Sequence, residues 1–359
     1  MERIIDPIAI DVLKAELTPA KKLRDTNKGN NEIYIVDSHD SPNVMKEIGR
    51  LREEAFRDSG GGSGLSMDID EFDTMENPYR QLIVWDPDAQ AILGGYRFIA
   101  GPDIRLGDDG QPHLATSHMF RFSEEFIKNW LPYTIELGRS FVSPQYQSSK
   151  AGAKALFALD NLWDGLGALM LQKPEMKYFF GKMTMYPDYN RSARDLIQHF
   201  LFKHFRDKDG LVTPYEPLGL TTDTERMDTI LTEDGFKEDY KILNAEVRKL
   251  GVNIPPLVNS YMSLSPSLKM FGGAVNHEFS GAEETGILIE FDKMYEEKKA
   301  RHVNSFIKDK IRLMKHRFPV FVENMGENLQ VMIAQKRQQV QERTAQRKAR
   351  RELARKKSE

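Results

Sequence analysis

Cysteine is absent from this 359-residue sequence. Without thiols the chain can form no disulfide, bind no metal through thiolates and use no cysteine nucleophile. The eight histidines form neither an HxxxH nor an HExxH pair, so we predict no metal site. A GxGxxG fingerprint and a GK[ST] phosphate loop are also missing, which argues against dinucleotide-binding and P-loop enzymes.

Long apolar runs are missing as well. No run approaches the roughly 20 residues that span a bilayer. The first residues, MERIIDPIAIDVLKAEL, lack the cationic start and continuous apolar core of a secretory signal. Hydrophobic residues make up 40% of the chain and charged residues 29%, which favours a folded, soluble protein. We therefore expect a cytoplasmic location.

Periodic patterns predict alternating strands and helices. Runs of β-branched and aromatic residues predict strands at 32–37, 79–86, 91–99, 133–142, 177–185 and 285–291. Helical spacing of apolar residues predicts helices at 41–56, 149–171, 190–205 and 254–264, the first with Ser41 as its cap. Residues 207–240 are rich in turn residues, 292–316 read as a charged helix, and SGGGSG (59–64) reads as a mobile hinge or lid. This order predicts an α/β fold, a mixed sheet with helices on both faces.

Four short patterns concentrate charge in one half of the chain. LREEAF places Arg52 and Phe56 one helical turn apart, and DIDEFD presents Asp68, Asp70 and Asp73. GGYRF and ELGRSFV put charged residues inside predicted strands, namely Arg97, Glu136 and Arg139. Glu136 and Arg139 would face opposite sides of a regular strand, and a bulge at Gly138 would bring them to one side.

In this order the patterns resemble those of the acyl-homoserine-lactone synthases and their ornithine-lipid N-acyltransferase relatives, a branch of the GNAT superfamily. ELGRSFVSPQYQ, LDNLWDGLGAL and FFGKMTMYPDYN look like the glycine N-acyltransferase type of Bacteroides-like bacteria, and IPPLVNSYMSL with FGGAVNHEF resembles a region labelled hemolysin-like. The resemblance covers about residues 30–300. It implies three regions: an N-terminal segment (1–30), a GNAT-like domain (31–300) and a basic helical or partly disordered tail (301–359).

The resemblance also implies a reaction. A (3-hydroxy)fatty acyl group passes from a thioester to the amine of a small amino acid, with glycine the favoured acceptor and aminolipid synthesis the destination. No cofactor is bound, since the acyl thioester is a co-substrate. GNAT enzymes bind the pyrophosphate of CoA at a glycine-rich loop that opens the central helix. Here the loop is QSSKAG, with Gln147, Lys150 and Gly152 as donor-binding candidates, and its single remaining glycine favours acyl carrier protein over CoA.

Candidate roles follow from the same comparison. Glu136 is the candidate base for the amine, because an ammonium group must lose a proton before it attacks. Arg139 or Arg97 would clamp the acceptor carboxylate, and backbone N–H groups at the bulge would hold the oxyanion. Tyr189 would protonate the leaving thiolate. The other substrate-binding candidates are Arg52, Phe56, Asp70 and Asp73.

Each role has a structural alternative. Glu136 and Arg139 can form a structural ion pair, and Asp70 and Asp73 can cap a helix or hold Arg52 in place. Phe56 and Tyr189 can be packing residues. The alternatives in function are an ornithine, other amine or hydroxyl acceptor, or a catalytically silent module that binds acyl carrier protein or membrane.

The charge is unevenly distributed. Residues 331–359 contain ten Lys and Arg against three Glu, a net charge of +7, whereas the whole chain carries −3. This basic tail is suited to an anionic membrane surface, which allows peripheral contact with the inner membrane, or to acidic acyl carrier protein. The tail does not favour nucleic acid as a partner, because no aromatic residues are interleaved for base stacking.

Overall fold

The computed structural model describes residues 1–147, 153–232 and 235–304. Met1–Val303 form one compact unit. The first thirty residues, which the sequence set apart, belong to this unit, because Leu13 and Leu17 are buried in its core and residues 22–25 form an edge strand. Of the predicted tail, residues 305–359 lie outside the described residues.

An eight-stranded mixed sheet runs through the unit in the order β1-β2-β3-β4-β6-β7-β10-β9, and β5 pairs with β8 in a separate two-stranded sheet. Every neighbouring pair is antiparallel except β6 and β7, which are parallel. The strands are β1 (Lys22–Asp25), β2 (Glu32–Val36), β3 (Arg80–Asp86), β4 (Ala91–Ala100), β5 (Phe120–Phe122), β6 (Thr134–Val142), β7 (Tyr178–Met185), β8 (Val212–Pro214), β9 (Lys269–Asn276) and β10 (Ala282–Glu290).

Helices flank the sheet. The long helix α2 covers one face through Val44, Ile48 and Leu51, which pack with Ile83 and Trp85 of β3. The helix α4 contacts β3 and β4. The helices are α1 (Ile10–Glu16), α2 (Pro42–Asp58), α3 (Glu71–Thr74), α4 (Ala153–Gln172), α5 (Arg191–Phe205), α6 (Thr224–Ile230), α7 (Phe236–Lys249), α8 (Pro256–Met262) and α9 (Glu296–Lys299), with π-helical turns at Phe126–Trp130 and Ala300–Asn304.

The predicted cap of α2 is wrong in its detail. Ser41 occupies the N-cap position, but its side chain makes no capping hydrogen bond. The Glu16 carboxylate at the end of α1 instead accepts hydrogen bonds from the backbone N–H groups of Asn43 (3.0 Å) and Val44 (2.8 Å). An anion at a helix N-terminus is favoured by the free N–H groups and the helix dipole, so α1 anchors the start of α2.

The secondary structure of residues 207–240 differs most from the sequence-based prediction. It contains β8, α6 and the start of α7, where only turns were expected. Asp223 caps α6 by accepting a hydrogen bond from Glu225 N–H, and α7 is held by Asp239, whose buried carboxylate pairs with His204 at 2.8 Å. Because polar contacts hold these elements in place, their sequences show little of the apolar periodicity from which helices and strands are predicted.

Candidate functional site

The parallel strands β6 and β7 separate from each other partway along their length. Their pairing covers only Thr134–Glu136 of β6 against Tyr178–Phe180 of β7. Beyond this point β7 keeps its partner β10 through to Met185, but its edge towards β6 is no longer paired with that strand. Backbone N–H and C=O groups on both parting edges therefore become available to a ligand.

A bulge in β6 lies just past the point of separation. Gly95 and Arg97 of β4 face Phe141 and Gly138 of β6, so β6 contains one extra residue between these pairs. Arg139 occupies the bulge with φ = 47°, in the left-handed region that non-glycine residues rarely adopt. The sequence predicted a bulge at Gly138, and the structure places it at the next residue. Strained backbone of this kind is concentrated at functional sites.

A cavity of about 770 Å³ fills the gap between β6 and β7. Its lining includes Phe56 at the end of α2 and, on the opposite side of the sheet, Trp163 of α4 and Tyr261 of α8. The Trp163 and Tyr261 rings pack edge to face with centroids 6.0 Å apart. The volume is in the range typical of small-molecule sites, and the mostly apolar walls suit an acyl chain.

A lysine and a glutamate bring charge into this cavity. Lys182 of β7 and Glu284 of β10 both line it, and their side chains form an ion pair. The side chain of Lys182 is 13% exposed and that of Glu284 2% exposed. Burial lowers the pKa of Lys182, although the Glu284 charge acts in the opposite direction. Glu284 is also near Thr184 Oγ1 (3.5 Å) and Asn276 Nδ2 (3.4 Å).

Arg52, Asp73 and Arg97 form a buried network beside the cavity and do not line it. Arg52 is fully buried, and its Nη1 lies 3.1 Å from Asp73 Oδ2. Arg97 Nη1 lies 3.2 Å from the same oxygen, and Arg52 Nη2 donates to Gln81 Oε1. Burial alone would raise the pKa of Asp73, but the charges of Arg52 and Arg97 outweigh it and lower that pKa to about 2.

Asp70 connects this network to the cavity. It is the N-cap of α3, accepting from Asp73 N–H in a capping box, as the structural alternative proposed. It also pairs with Arg97 at 2.7 Å and with Arg139 at 3.4 Å. Arg139 pairs with Asp68 at 2.9 Å and lines the cavity. The four charged motifs of the sequence therefore meet in space, and Arg139 is the cation through which they reach the cavity.

Glu136 is placed differently from what its proposed role requires. It is 2% exposed and is not among the residues that line the cavity. Its carboxylate accepts hydrogen bonds from Tyr79 Oη and from Thr116 Oγ1 at 2.6 Å. Burial raises the pKa of Glu136. This geometry does not favour Glu136 as the base that touches the amine, because its oxygens are already bonded within the core.

Of the remaining candidates, three line the cavity and two lie outside the residues that the structure describes. Phe56, Tyr189 and Gln147 line the cavity. The Tyr189 hydroxyl donates to the carbonyl oxygen of Asn253 at 2.9 Å, and burial raises its pKa to about 12. Gln147 Nε2 donates to the carbonyl oxygen of Val142 at 2.6 Å. Lys150 and Gly152 lie outside the described residues.

The glycine-rich loop 59–64 is fastened at one edge of the cavity. The Glu53 carboxylate accepts from Ser63 N–H (2.9 Å), Ser63 Oγ (2.8 Å) and Gly64 N–H (2.8 Å). A Cβ on Gly61 would collide with the ring of Tyr186, which lines the cavity. The three hydrogen bonds argue against the free hinge that the composition predicted, and glycine here permits close packing on Tyr186.

Sequence reasoning missed Lys182 and Glu284. Each is a charged residue inside a run that otherwise reads as a buried strand, FFGKMTM and AEETGILIE. Charged residues are rarely fully buried unless paired, so each was a signal for a partner or a site. Their contact depends on the pairing of β7 with β10, where Lys182 faces Gly286 and Glu284 faces Thr184.

The mixed sheet with parting parallel strands and the apolar cavity belong to an acyltransferase with a GNAT-like fold, as comparisons with known proteins show. A model described as acetyltransferase (GNAT) domain matches residues 51–156. The chain is 62% identical over 315 residues to a glycine N(alpha)-acyltransferase of Phocaeicola vulgatus. This alignment covers 88% of this chain and 97% of the relative. The chain is 64% identical over 307 residues to a glycine N(alpha)-acyltransferase of Bacteroides thetaiotaomicron, covering 86% and 91%.

The chain belongs to the family of these glycine N(alpha)-acyltransferases. A comparison with solved structures gives FeeM, an N-acyl amino acid synthase from uncultured soil microbes, at 10% identity and a TM-score of 0.36, covering 73% of this chain and 92% of that one. The predicted fold class and the predicted acyltransferase activity are confirmed. In the part of the chain that the structure describes, none of the helices combines the length and the apolar character that a membrane span requires.

Proposed function

We propose that this acyltransferase moves a 3-hydroxyacyl group from acyl carrier protein to the amine of glycine, giving N-acyl glycine for aminolipid synthesis. One observation carries the proposal: an apolar cavity and a cluster of charged groups meet where β6 and β7 part. The apolar walls suit a fatty chain, and the charges suit a small zwitterion. The names of the two relatives supply glycine as the acceptor.

The donor would enter between the parting strands. Its pantetheine arm carries two amides, and the unpaired edge of β7 beyond Phe180 offers backbone partners for them. The thioester would then lie near the Arg139 bulge, with the acyl chain among rings such as Trp163 and Tyr261. N–H groups of the bulge would stabilise the oxyanion. Tyr189 is protonated at neutral pH, as a tyrosine with the ordinary pKa near 10 already is, and it would give this proton to the thiolate.

Acyl carrier protein is the proposed donor because of the loop sequence QSSKAG. This loop has one glycine, whereas a loop that binds pyrophosphate needs several glycines so that its backbone N–H groups can approach the phosphates closely. The amide of Gln147 at the start of this loop is bonded to the backbone oxygen of Val142. Phosphopantetheine on a carrier protein has one phosphate to hold, which requires fewer contacts than the pyrophosphate of CoA.

Purified full-length protein tests donor and acceptor together. It is given glycine with either 3-hydroxyacyl carrier protein or the same acyl group on CoA, and products are identified by mass spectrometry. We expect N-acyl glycine at a higher kcat/KM from the carrier protein. Equal rates from both thioesters would remove the donor argument. Faster acylation of ornithine or of a lysolipid hydroxyl in parallel reactions would change the acceptor.

We further propose a cytoplasmic enzyme with peripheral membrane contact through the basic tail. Ten cations in residues 331–359 would be attracted to anionic lipid by about 1 kcal/mol each near the surface. Sedimentation with anionic vesicles tests this, using the full chain and a chain lacking 331–359, with neutral vesicles as control. We expect the deletion to lose salt-sensitive binding to anionic vesicles. Equal sedimentation of both chains would remove the membrane role.

A further inference from the structure

We propose that Lys182 and Glu284 form the acceptor subsite, in which Glu284 binds and deprotonates the ammonium group of a small amino acid and Lys182 binds its carboxylate. This assignment rests on the proposed function, because it needs an amino acid acceptor in the cavity. It replaces Glu136, whose carboxylate is bonded to Tyr79 and Thr116 outside the cavity lining.

Position is the first argument. Phe180 is the last residue of β7 paired with β6, and Lys182 follows two residues later at the parting of the strands. Lys182 and Glu284 both line the cavity there. A donor held between the strands would bring its thioester past the same point. An acceptor at the pair would therefore lie close to the carbonyl carbon that it must attack, as proximity catalysis requires.

Unused bonding capacity is the second argument. An ammonium group has three donors, and among the described contacts Lys182 gives a hydrogen bond or ion pair to Glu284 alone. A carboxylate has about four acceptor positions. The other two partners of Glu284, Thr184 and Asn276, lie at 3.5 and 3.4 Å, at the long limit of hydrogen bonding. Lys182 can therefore donate a further hydrogen bond, and Glu284 can accept one.

Charge complementarity is the third argument. A free amino acid at neutral pH carries one ammonium and one carboxylate, and a buried zwitterion needs a partner for each charge. The Lys182–Glu284 pair offers the opposite order of charges, so the four groups would alternate in sign. The Arg139 charge acts on Lys182 and adds a second cation near the carboxylate position.

Crowding by aromatic rings favours an acceptor without a side chain. The Arg139 guanidinium lies 4.7 Å from the centre of the Phe279 ring, which packs edge to face against Phe56 at 5.2 Å. Tyr186 closes another side, and its hydroxyl feels the charges of Glu284 and Arg139. All of these rings line the cavity, so a large acceptor side chain would have to displace them.

The proposed step balances. Glu284 takes one proton from the ammonium group, and the resulting amine attacks the thioester carbon. A C–N bond forms, the C–S bond breaks, and the thiolate takes a proton from Tyr189. The tetrahedral nitrogen gives up its second proton as the amide forms, and this proton restores Tyr189 directly or through solvent. Glu284 then returns its proton to water, so one proton is released for each amide formed.

The test uses the full chain with saturating acyl donor and two acceptors, glycine and glycinamide, which lacks the carboxylate. Glu284→Gln should lower kcat about 10²- to 10⁴-fold with both acceptors, as expected for loss of a general base. Lys182→Met should raise the KM for glycine about 10- to 100-fold, from the loss of a charged hydrogen bond. It should leave the KM for glycinamide unchanged, an effect that a merely structural role would not produce.

Controls keep the result interpretable. Glu290→Gln changes a carboxylate on the same strand that pairs with Lys293 outside the cavity, and it should keep wild-type kinetics. A single substitution leaves a buried charge without its partner and can prevent folding. The double variant Lys182→Met with Glu284→Gln removes both charges, so it should fold, with the melting temperature checked by calorimetry, and still lose activity.

The outcomes separate the two proposals. If wild-type protein acylates no amine, the proposed function fails. If wild-type protein makes N-acyl glycine and Glu284→Gln keeps kcat within threefold, the subsite assignment alone fails. A loss confined to Glu136→Gln would return the role of base to Glu136. A Lys182→Met variant that still prefers glycine over glycinamide would overturn the carboxylate site.

Discussion

Replacing Arg52 by Met separates a structural role from a substrate-binding role. Arg52 is fully buried, pairs with Asp73 at 3.1 Å and donates to Gln81. The substitution keeps much of the side-chain volume and removes the charge. We expect a large loss of stability with little change in the KM for glycine, because Arg52 does not line the cavity.

The loss of stability in Arg52→Met depends on the partners that Asp73 retains. Breaking a buried ion pair by removing one partner costs about 3–5 kcal/mol. Asp73 would retain Arg97 at 3.2 Å and the Gln81 amide at 3.0 Å, so the lower end of this range applies. A loss of about 3 kcal/mol corresponds to a fall in melting temperature of about 5–10 °C for a unit of this size.

Urea denaturation followed by circular dichroism gives the free energy of unfolding, and steady-state kinetics give the KM for glycine. A companion variant carrying Arg52→Met and Asp73→Asn removes both charges. Its loss of stability should be smaller than the sum of the two single losses, since neither charge is left unpaired. If Arg52→Met unfolds like wild type while the KM for glycine rises tenfold, Arg52 binds substrate and this interpretation is wrong.

Three further predictions concern the acid stability of the fold, the acyl transfer step and the packing of α4. The pKa of Asp73 is lowered to about 2 in the folded state and is about 3.9 when unfolded, so the stability it contributes is present above pH 4 and lost on acidification towards pH 2. This contribution amounts to about 3 kcal/mol, measured as the pH dependence of the free energy of unfolding. Tyr189→Phe should lower kcat about 10²-fold in the acyl transfer assay, since it removes the proposed proton donor. Gly165→Ala should lower the free energy of unfolding by about 1 kcal/mol in urea titrations, because its Cβ would lie 2.6 Å from Leu82 Cδ2 and overpacking outweighs the gain in helix propensity.

Each of these has a control. Asp73→Asn should flatten the acid limb of the stability curve, and an unchanged limb would contradict the pKa assignment. Tyr133→Phe, at an exposed tyrosine outside the cavity, should keep its kcat, whereas a Tyr189→Phe variant within twofold of wild type would remove the proton donor. Leu82→Val should restore the stability that Gly165→Ala loses, because the shorter side chain leaves room for the new Cβ. A Gly165→Ala variant that is more stable than wild type would contradict the prediction and show that α4 can move to avoid the clash.

Much of the secondary structure could be read from the sequence, because it depends on local spacing. The β3–β4 hairpin, α2, β6, β7 and α5 follow from periods of two and 3.6 residues. The bulge was predicted one residue away from where it lies, since the motif required two charged residues on one side of a strand. The segments that were missed, such as β9 with its Gly272–Gly273 pair, have weak patterns and form by pairing with strands already present.

The sequence by itself determined the class of fold and the motif residues that gather around Arg139, because short-range spacing and residue chemistry specify them. Only the tertiary structure decided that Glu284 lines the cavity and Glu136 does not. Glu136 is turned into the core, where Tyr79 and Thr116 bond it, while Glu284 meets Lys182 across 102 residues of chain. A contact at that separation depends on strand order and register, which no local pattern encodes.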